Sequence, residues 1–276
     1  MRRSAQLRVS VDNSRLASNM AIAGQKNPMT LRSLPFIALL LLSLMPLQAQ
    51  TGASSPRVFM VGDSTMADKG TAVPEWGWGM ALGKFFVDPA MIRNHAKNGR
   101  SSKSFIDEGL WKKVHEELRA GDYVIIQFSH NDEKTTPDRH TDAATTFRDF
   151  LRTYVSETRG RGAFPLLATP VVRRKFDSAG KLVDTHGAYP DAIRAVAKEQ
   201  RVPLLELEQA TAQLLTATGA EASKKFFMWL EPGAYPNRPN GTKDDTHFVE
   251  LGATAVAELA ASQIRALRLP LAPWLK

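Results

Sequence analysis

The chain has 276 residues, 43% hydrophobic and 23% charged, so it can form a substantial apolar core, and it lacks the cysteine needed for disulfides or thiolate chemistry. The formal net charge is +8, but residues 1–49 contain six Lys or Arg against one Asp, which leaves only +3 for the remainder. That small surplus, without basic runs interleaved with aromatic residues, argues against a nucleic-acid-binding protein.

The amino-terminal segment has the pattern of an export signal. Residues 34–47, LPFIALLLLSLMPL, are almost wholly apolar, follow Arg32 and precede the small residue Ala49. The stretch is short for a membrane span, and its two prolines argue against the alternative of a buried helix. We therefore expect signal-peptide cleavage near Ala49 rather than a retained membrane anchor, and a secreted or periplasmic mature protein.

The leader sets the predicted domain boundary. Residues 1–49 are expected to form the leader, with the true translation start at Met1, Met20 or Met29, and residues 50–276 to form one domain. The sequence assigns no oligomeric state to that domain.

Short apolar runs rich in β-formers alternate with longer stretches of helical periodicity after the leader. This alternation predicts an α/β domain built from βαβ units around a parallel sheet. The predicted strands are residues 57–61, 91–95, 123–128, 164–169 and 203–207. The predicted helices are residues 75–86, 104–118, 143–158, 189–200, 207–218 and 249–267.

The last helix and two loops complete this prediction. In the last helix, one stripe made of Leu251, Ala255, Leu259 and Ile264 is expected to pack on the sheet. Residues 171–186 and 220–245 are rich in Gly, Pro, Asp and Lys and are expected to be irregular. Such loops belong at the rim of an open parallel sheet, where ligands bind.

The first candidate site residue is Ser64, in the segment Gly62-Asp63-Ser64-Thr65 directly after the first predicted strand. Gly62 permits a tight turn, and a helix beginning after it would direct backbone N–H groups toward developing negative charge on the serine. Gly-Asp-Ser is also ordinary turn chemistry, so the segment alone leaves a structural role open.

A base for this serine is predicted in Asp244-Asp245-Thr246-His247. A carboxylate three residues before an imidazole can accept its Nδ1–H, which leaves Nε2 facing a serine. Asp244 has the more comfortable spacing, and Asp245 is the competing partner. The alternative is a solvated loop that caps the final helix.

Two further polar segments follow predicted strands. Ser129-His130-Asn131-Asp132 offers the Asn131 amide to an oxyanion, and Asn98-Gly99-Arg100-Ser101 offers the Gly99 backbone N–H. Each segment taken singly is also compatible with a simple βα turn. His130 and Asp132 lack the spacing of a metal-binding motif, so we expect no catalytic metal.

Together these four blocks resemble those of the SGNH, or GDSL-type, hydrolases. Thr65 departs from the Leu in the superfamily's name, and the chain has no GxSxG elbow of the α/β-hydrolase type. Longer matches resemble the rhamnogalacturonan acetylesterases of carbohydrate esterase family 12. They are PEWGWG at 74–79, NGRSS at 98–102, SHND at 129–132, TPVVRR at 169–174, DTHGAYP at 184–190 and DDTHF at 244–248.

The resemblance implies a three-layer α/β/α sandwich with a flavodoxin-like parallel sheet and a serine esterase that needs no cofactor. Its substrate would be acetylated plant cell-wall polysaccharide. Ser64 maps to the nucleophile, Asp244 and His247 map to its triad partners, and Gly99 and Asn131 map to oxyanion-hole donors beside the Ser64 N–H.

Candidate substrate contacts are less specific. Trp76 and Trp78 offer flat faces to a sugar ring, and at least one of them is expected to pack in the core instead. Arg173, with its basic neighbours, offers cations to galacturonate carboxylates or forms a solvated cluster, and His186 lies in a predicted rim loop.

Three functions remain open at this point. Removal of O-acetyl groups from rhamnogalacturonan or another pectin is favoured, while homogalacturonan and xylan also bear acetyl groups. A lipid or aryl esterase, or a thioesterase, of the same fold is the first alternative. A non-catalytic carbohydrate-binding module is the second.

Overall fold

The computed structural model describes residues 55–276; the predicted leader, residues 1–49, lies outside the described residues. Five parallel strands form the central sheet, each at a position predicted from an apolar run. They are β1 (Val58–Gly62), β2 (Ile92–Asn94), β3 (Tyr123–Gln127), β4 (Phe164–Ala168) and β5 (Leu204–Leu205). Their spatial order is β2-β1-β3-β4-β5. The loops after β2 and β3 therefore flank the loop after β1.

Seven α-helices surround this sheet within the described range. They are α1 (Trp78–Leu82), α2 (Ser102–Asp107), α3 (Leu110–Glu117), α4 (Thr146–Gly160), α5 (Tyr189–Gln200), α6 (Leu207–Thr218) and α7 (Glu250–Ala266). None of the helices in residues 55–276 is long and apolar enough to cross a membrane.

The helices cover both faces of the sheet. Val58 and Met60 of β1 belong to an apolar cluster with α1, α6 and α7, whereas Phe59 and Val61 belong to a second cluster with α2, α3, α4 and α5. Successive strand residues point to opposite faces, so an unbroken apolar strand fits a sheet buried on both sides. The expected three-layer α/β/α architecture is confirmed.

A small antiparallel sheet contradicts part of the loop prediction. Residues 220–245 were expected to be irregular, but they include β6 (Phe227–Leu230) and most of β7 (Thr242–Phe248), which pair with each other. A 3₁₀ turn at Ala222–Phe226 precedes them. β7 was missed because it reads TKDDTHF, without the apolar alternation that marks a half-buried strand, whereas β6 reads FMWL and is an apolar run visible in the sequence.

Two predicted helices are shorter than expected. The helix predicted over residues 104–118 is broken by Gly109, whose φ of 70° lies in the left-handed region. The helix predicted over residues 75–86 begins only at Trp78, because the backbone N–H of Trp76 donates to Phe248 O in an extended bridge, and α1 ends at Leu82.

The predicted inward stripe of the last helix is only partly correct. Ile264 is fully buried and Ala255 packs against the core, but Leu251 is 52% exposed. Most of the buried residues of α7 are small, and the helix packs mainly against α1. Gly252 lies against Phe226 O so closely that a Cβ on it would be 2.0 Å from that oxygen. This close approach turns the glycine inward and rotates Leu251 to the surface.

Candidate active site

The Ser64 turn lies at the carboxyl end of β1, in the middle of the sheet. The helix expected after Ser64 is only a single turn, in which the N–H groups of Met66 and Ala67 donate to Asp63 O at 3.2 and 3.0 Å. The short α1 backs onto this turn, since Trp78 N donates to Thr65 O at 2.9 Å. Ser64 therefore lies on a tightly held turn.

The structure brings the three predicted triad residues into one hydrogen-bonded chain. His247 Nε2 lies 2.9 Å from Ser64 Oγ, and His247 Nδ1 lies 2.7 Å from Asp244 Oδ2. Because the ionised carboxylate only accepts, Nδ1 is assigned the proton and Nε2 is left to accept the serine proton. This is the arrangement that a serine nucleophile and its general base require.

Asp244 is held in its ionised form. Burial by itself raises the pKa of this carboxyl group, but the hydrogen bond and charge of His247 and the backbone N–H groups of Thr246 and His247 outweigh burial and lower the pKa to about 2. Those two N–H groups donate to Asp244 Oδ1 at 2.7 and 3.0 Å. The carboxylate is therefore fixed in position and in charge.

Asp245, the competing partner, is bound elsewhere. Its Oδ1 accepts from Arg174 Nη1 at 2.5 Å and from Trp229 Nε1 at 2.7 Å. The side chains of Asp244 and Asp245 are thus hydrogen-bonded to different partners, although the residues are adjacent on β7.

The predicted oxyanion donors lie on the three loops that meet around Ser64. Lys97 N donates to Gly62 O at 2.9 Å and joins the Gly99 loop to the Ser64 turn. Asn131 Nδ2 donates one hydrogen to Arg100 O at 3.0 Å, which leaves its second amide hydrogen free to point elsewhere. Among the described residues, neither Ser64 N nor Gly99 N has a hydrogen-bond acceptor. These free donors are what an oxyanion would need.

A second pair of buried groups joins two of these loops. Asp63 Oδ2 lies 3.1 Å from His130 Nδ1, and Asp63 Oδ1 accepts from Thr65 N and Oγ1 at 2.9 and 2.8 Å. Burial raises the pKa of Asp63, but His130 and Thr65 outweigh it and bring the pKa to about 2. Burial lowers the pKa of His130, which favours a neutral ring donating from Nδ1. This pair was not predicted from the sequence, although Asp63 and His130 lie inside the motifs at residues 62–65 and 129–132.

Asp132 supports the loop that follows β3. It is fully buried and accepts from Ser102 Oγ at 2.5 Å and from Thr141 Oγ1 at 3.0 Å. Burial is the main cause that raises the pKa of this carboxyl group to about 7. The Asn131 loop is thereby fixed to α2 and to the chain near Thr141.

Two of the predicted substrate contacts are wrong. Trp78 is fully buried, and its Nε1 donates to Gln127 Oε1 at 2.6 Å. His186 is 3% exposed and lies 2.5 Å from Glu133 Oε1 and 3.0 Å from Val171 O through its two ring nitrogens. Both side chains stabilise the interior, where large rings and paired polar atoms are favoured.

The other two predicted contacts are partly accessible but already engaged. Trp76 packs against the core, with Lys84 Nζ 5.1 Å from its ring centroid. Arg173 pairs with Glu133 at 3.0 Å and donates to Thr185 O at 2.9 Å. Their contact with substrate stays a prediction. In residues 55–276, no cluster of three or more His, Asp or Glu side chains is arranged to hold a metal ion.

Comparison with known proteins finds a family model and relatives that match most of the chain. The model of the GDSL-like lipase/acylhydrolase family matches residues 60–255. Over 216 residues the chain is 44% identical to the rhamnogalacturonan acetylesterase RhgT of Bacillus subtilis (strain 168), covering 78% of this chain and 92% of that protein. It is 34% identical over 215 residues to the probable rhamnogalacturonan acetylesterase YesY of the same strain, with coverages of 78% and 94%.

A solved structure shows the same fold. The crystal structure of protein YxiM from Bacillus subtilis aligns with a TM-score of 0.67 at 24% identity, over 79% of this chain and 58% of that one. The resemblance predicted from the four sequence blocks is confirmed by the family match and by both Bacillus relatives. The chain belongs to the GDSL-like lipase/acylhydrolase family.

Proposed function

We propose that this chain is a serine esterase that removes O-acetyl groups from rhamnogalacturonan. The observation that supports it most strongly is the chain of hydrogen bonds from Asp244 through His247 to Ser64, beside unoccupied N–H donors at Ser64 and Gly99. The substrate class is proposed from the relatives RhgT and YesY, whose names specify rhamnogalacturonan acetylesterase.

Formation of an acetyl-enzyme is the first chemical step. Ser64 Oγ attacks the acetyl carbonyl carbon while His247 Nε2 takes the Oγ proton, and the carbonyl oxygen becomes the oxyanion. The N–H groups of Ser64 and Gly99 and the Asn131 amide stabilise that charge. The bond between the acetyl carbonyl carbon and the sugar oxygen then breaks, and His247 gives the proton to the departing sugar oxygen.

Hydrolysis of the acetyl-enzyme uses the same groups. Water loses a proton to His247 as its oxygen attacks the acetyl carbon, and the second tetrahedral oxyanion occupies the same donors. Collapse of this intermediate releases acetate, and His247 returns its proton to Ser64 Oγ. Asp244 stays ionised throughout and holds the imidazole in the required tautomer.

One apolar cavity of the protein is not placed to hold a long acyl chain. An apolar cavity of about 400 Å³ is lined by Tyr123 and Phe164, the first residues of β3 and β4. Ser64 instead follows the last residue of β1, and all these strands are parallel. The cavity therefore lies at the amino ends of the strands, whereas Ser64 lies at the carboxyl end of β1. It cannot hold an acyl chain attached to Ser64.

Acetate release from a polysaccharide panel tests this function. We expect fastest release from acetylated rhamnogalacturonan, slower release from acetylated homogalacturonan and xylan, and faster hydrolysis of p-nitrophenyl acetate than of the octanoate. Failure to release acetate from every pectic substrate would refute the pectin assignment. Equal or faster hydrolysis of the octanoate would instead favour the lipid or aryl esterase.

We also propose export of the protein. The support is the apolar segment at residues 34–47 followed by Ala49, and pectin is an extracellular polymer. Amino-terminal sequencing of the protein recovered from the periplasm or medium should begin near Gln50. Recovery only from the cytoplasm with an intact leader would contradict export.

A further inference from the structure

An arginine that the sequence analysis did not single out lies beside the proposed oxyanion site. A methyl group placed on the Cα of Gly99 would be 3.8 Å from Nη1 of Arg139. The Arg139 guanidinium thus lies close to Gly99, whose N–H is proposed to bind the acetyl oxygen. The guanidinium therefore lies beside the position proposed for the acetyl oxygen.

The terminal nitrogens of Arg139 are available to a ligand. Its Nε lies 3.3 Å from Asp138 Oδ2 in a surface pair, and neither Nη1 nor Nη2 donates a hydrogen bond to any described residue. Four other cations near the site are bound by carboxylates. These pairs are Lys69 with Glu75, Arg100 with Glu108, Arg173 with Glu133 and Arg174 with Asp245.

The segment that contains Arg139 is held in place on both sides. Arg139 N donates to Thr136 O at 3.0 Å, and Lys103 Nζ donates to Pro137 O at 2.9 Å. Thr141 Oγ1 donates to the buried carboxyl of Asp132. A cation on such a segment loses less entropy on binding a ligand than one on a free loop.

We propose that Arg139 binds the carboxylate of the galacturonate unit whose acetyl group is removed. This inference rests on the proposed function and identifies the group that selects an acidic substrate. The planar guanidinium presents paired N–H donors that match a carboxylate, and the acetyl oxygen bound at Gly99 N holds the sugar ring close to it. Arg139 is thus a second carboxylate-binding residue beside Arg173, whose contact with substrate stays a prediction.

The test compares acetylated rhamnogalacturonan oligosaccharides that have free carboxylates with the same oligosaccharides after methyl esterification. Wild type should have a higher kcat/KM for the free acid than for the methyl ester. Arg139→Gln should lose between about 10-fold and about 100-fold in kcat/KM on the free acid, mainly through KM, and lose the preference. Arg139→Lys should retain part of it, because the charge remains and the planar fork is lost.

Arg119→Gln is the matched control, because Arg119 is exposed just before β3, at the opposite edge of the sheet. It should retain the wild-type preference for the free acid.

Free galacturonate should inhibit wild type more strongly than galactose does, and Arg139→Gln should abolish this difference in inhibition. An Arg139→Gln enzyme that still prefers the free acid as wild type does would overturn this inference alone. A wild type that deacetylates neutral xylan but no rhamnogalacturonan would overturn the proposed function as well.

Discussion

Two neighbouring aspartates on β7 have different partners, and only one of them contacts the imidazole. Asp244 accepts from His247 Nδ1, whereas Asp245 accepts from Arg174 and Trp229. The sequence could not fully separate them, because either carboxylate lies close to His247 along the chain. Which of the two carboxylates contacts His247 depends on the direction in which each side chain leaves the strand.

This difference predicts unequal effects of the same substitution. Asp244→Asn should lower kcat by about 10³-fold to about 10⁴-fold, because an amide no longer fixes the tautomer with Nε2 free to accept a proton. Asp245→Asn should leave kcat within about tenfold of wild type, because the loss falls on a peripheral ion pair. Initial rates of p-nitrophenyl acetate hydrolysis at saturating substrate measure kcat for both variants. Equal losses in the two variants would show that the triad carboxylate is misassigned.

The close contact between α7 and the turn before β6 depends on one glycine. A Cβ on Gly252 would meet Phe226 O at 2.0 Å, whereas a Cβ on Gly160, the last residue of α4, would have no neighbour within 4 Å. Gly252→Ala should therefore destabilise the protein by about 1–3 kcal/mol through overpacking. Gly160→Ala should be neutral or stabilise slightly, because alanine favours the helix. Thermal unfolding of both variants measures this, and a Gly252→Ala enzyme as stable as wild type would contradict the packing described.

The sequence predicted the positions of the strands better than the interactions between distant residues. Apolar runs located β1, β2 and β3, and parallel strands place Ser64, Gly99 and Asn131 at one edge of the sheet. The fold of β7 was missed because polar residues fill it. The burial of Trp78 and the contact between Asp63 and His130 depend on tertiary packing between residues far apart in the chain, which no local pattern encodes.

The contribution of Asp132 to the stability of the whole protein should decrease between about pH 4 and pH 7. The ordinary pKa of an Asp is 3.8, and burial raises the pKa of Asp132 to about 7 in the folded protein. Between about pH 4 and pH 7 the folded state therefore keeps a proton that the unfolded state has lost, so unfolding becomes easier as pH rises. This contribution is fully present below about pH 4 and is lost above about pH 7.

Asp132→Asn tests this contribution, because an amide resembles the protonated carboxyl group in shape and does not titrate. The Tm of the variant relative to that of wild type should rise between pH 4 and pH 8. Calorimetry or circular dichroism at several pH values measures the difference. A difference in Tm that stays constant over this range would show that Asp132 is already ionised in the folded protein at low pH.

Acetate release from acetylated rhamnogalacturonan by wild type and Ser64→Ala tests the proposed activity and its nucleophile together. Wild type should release acetate, and Ser64→Ala should be slower by at least about 10⁴-fold while it unfolds at a similar temperature. Ser156→Ala, at an exposed position on α4, is the control and should match wild type. Release by Ser64→Ala at the wild-type rate would contradict the assignment of Ser64 as the residue that forms the acetyl-enzyme.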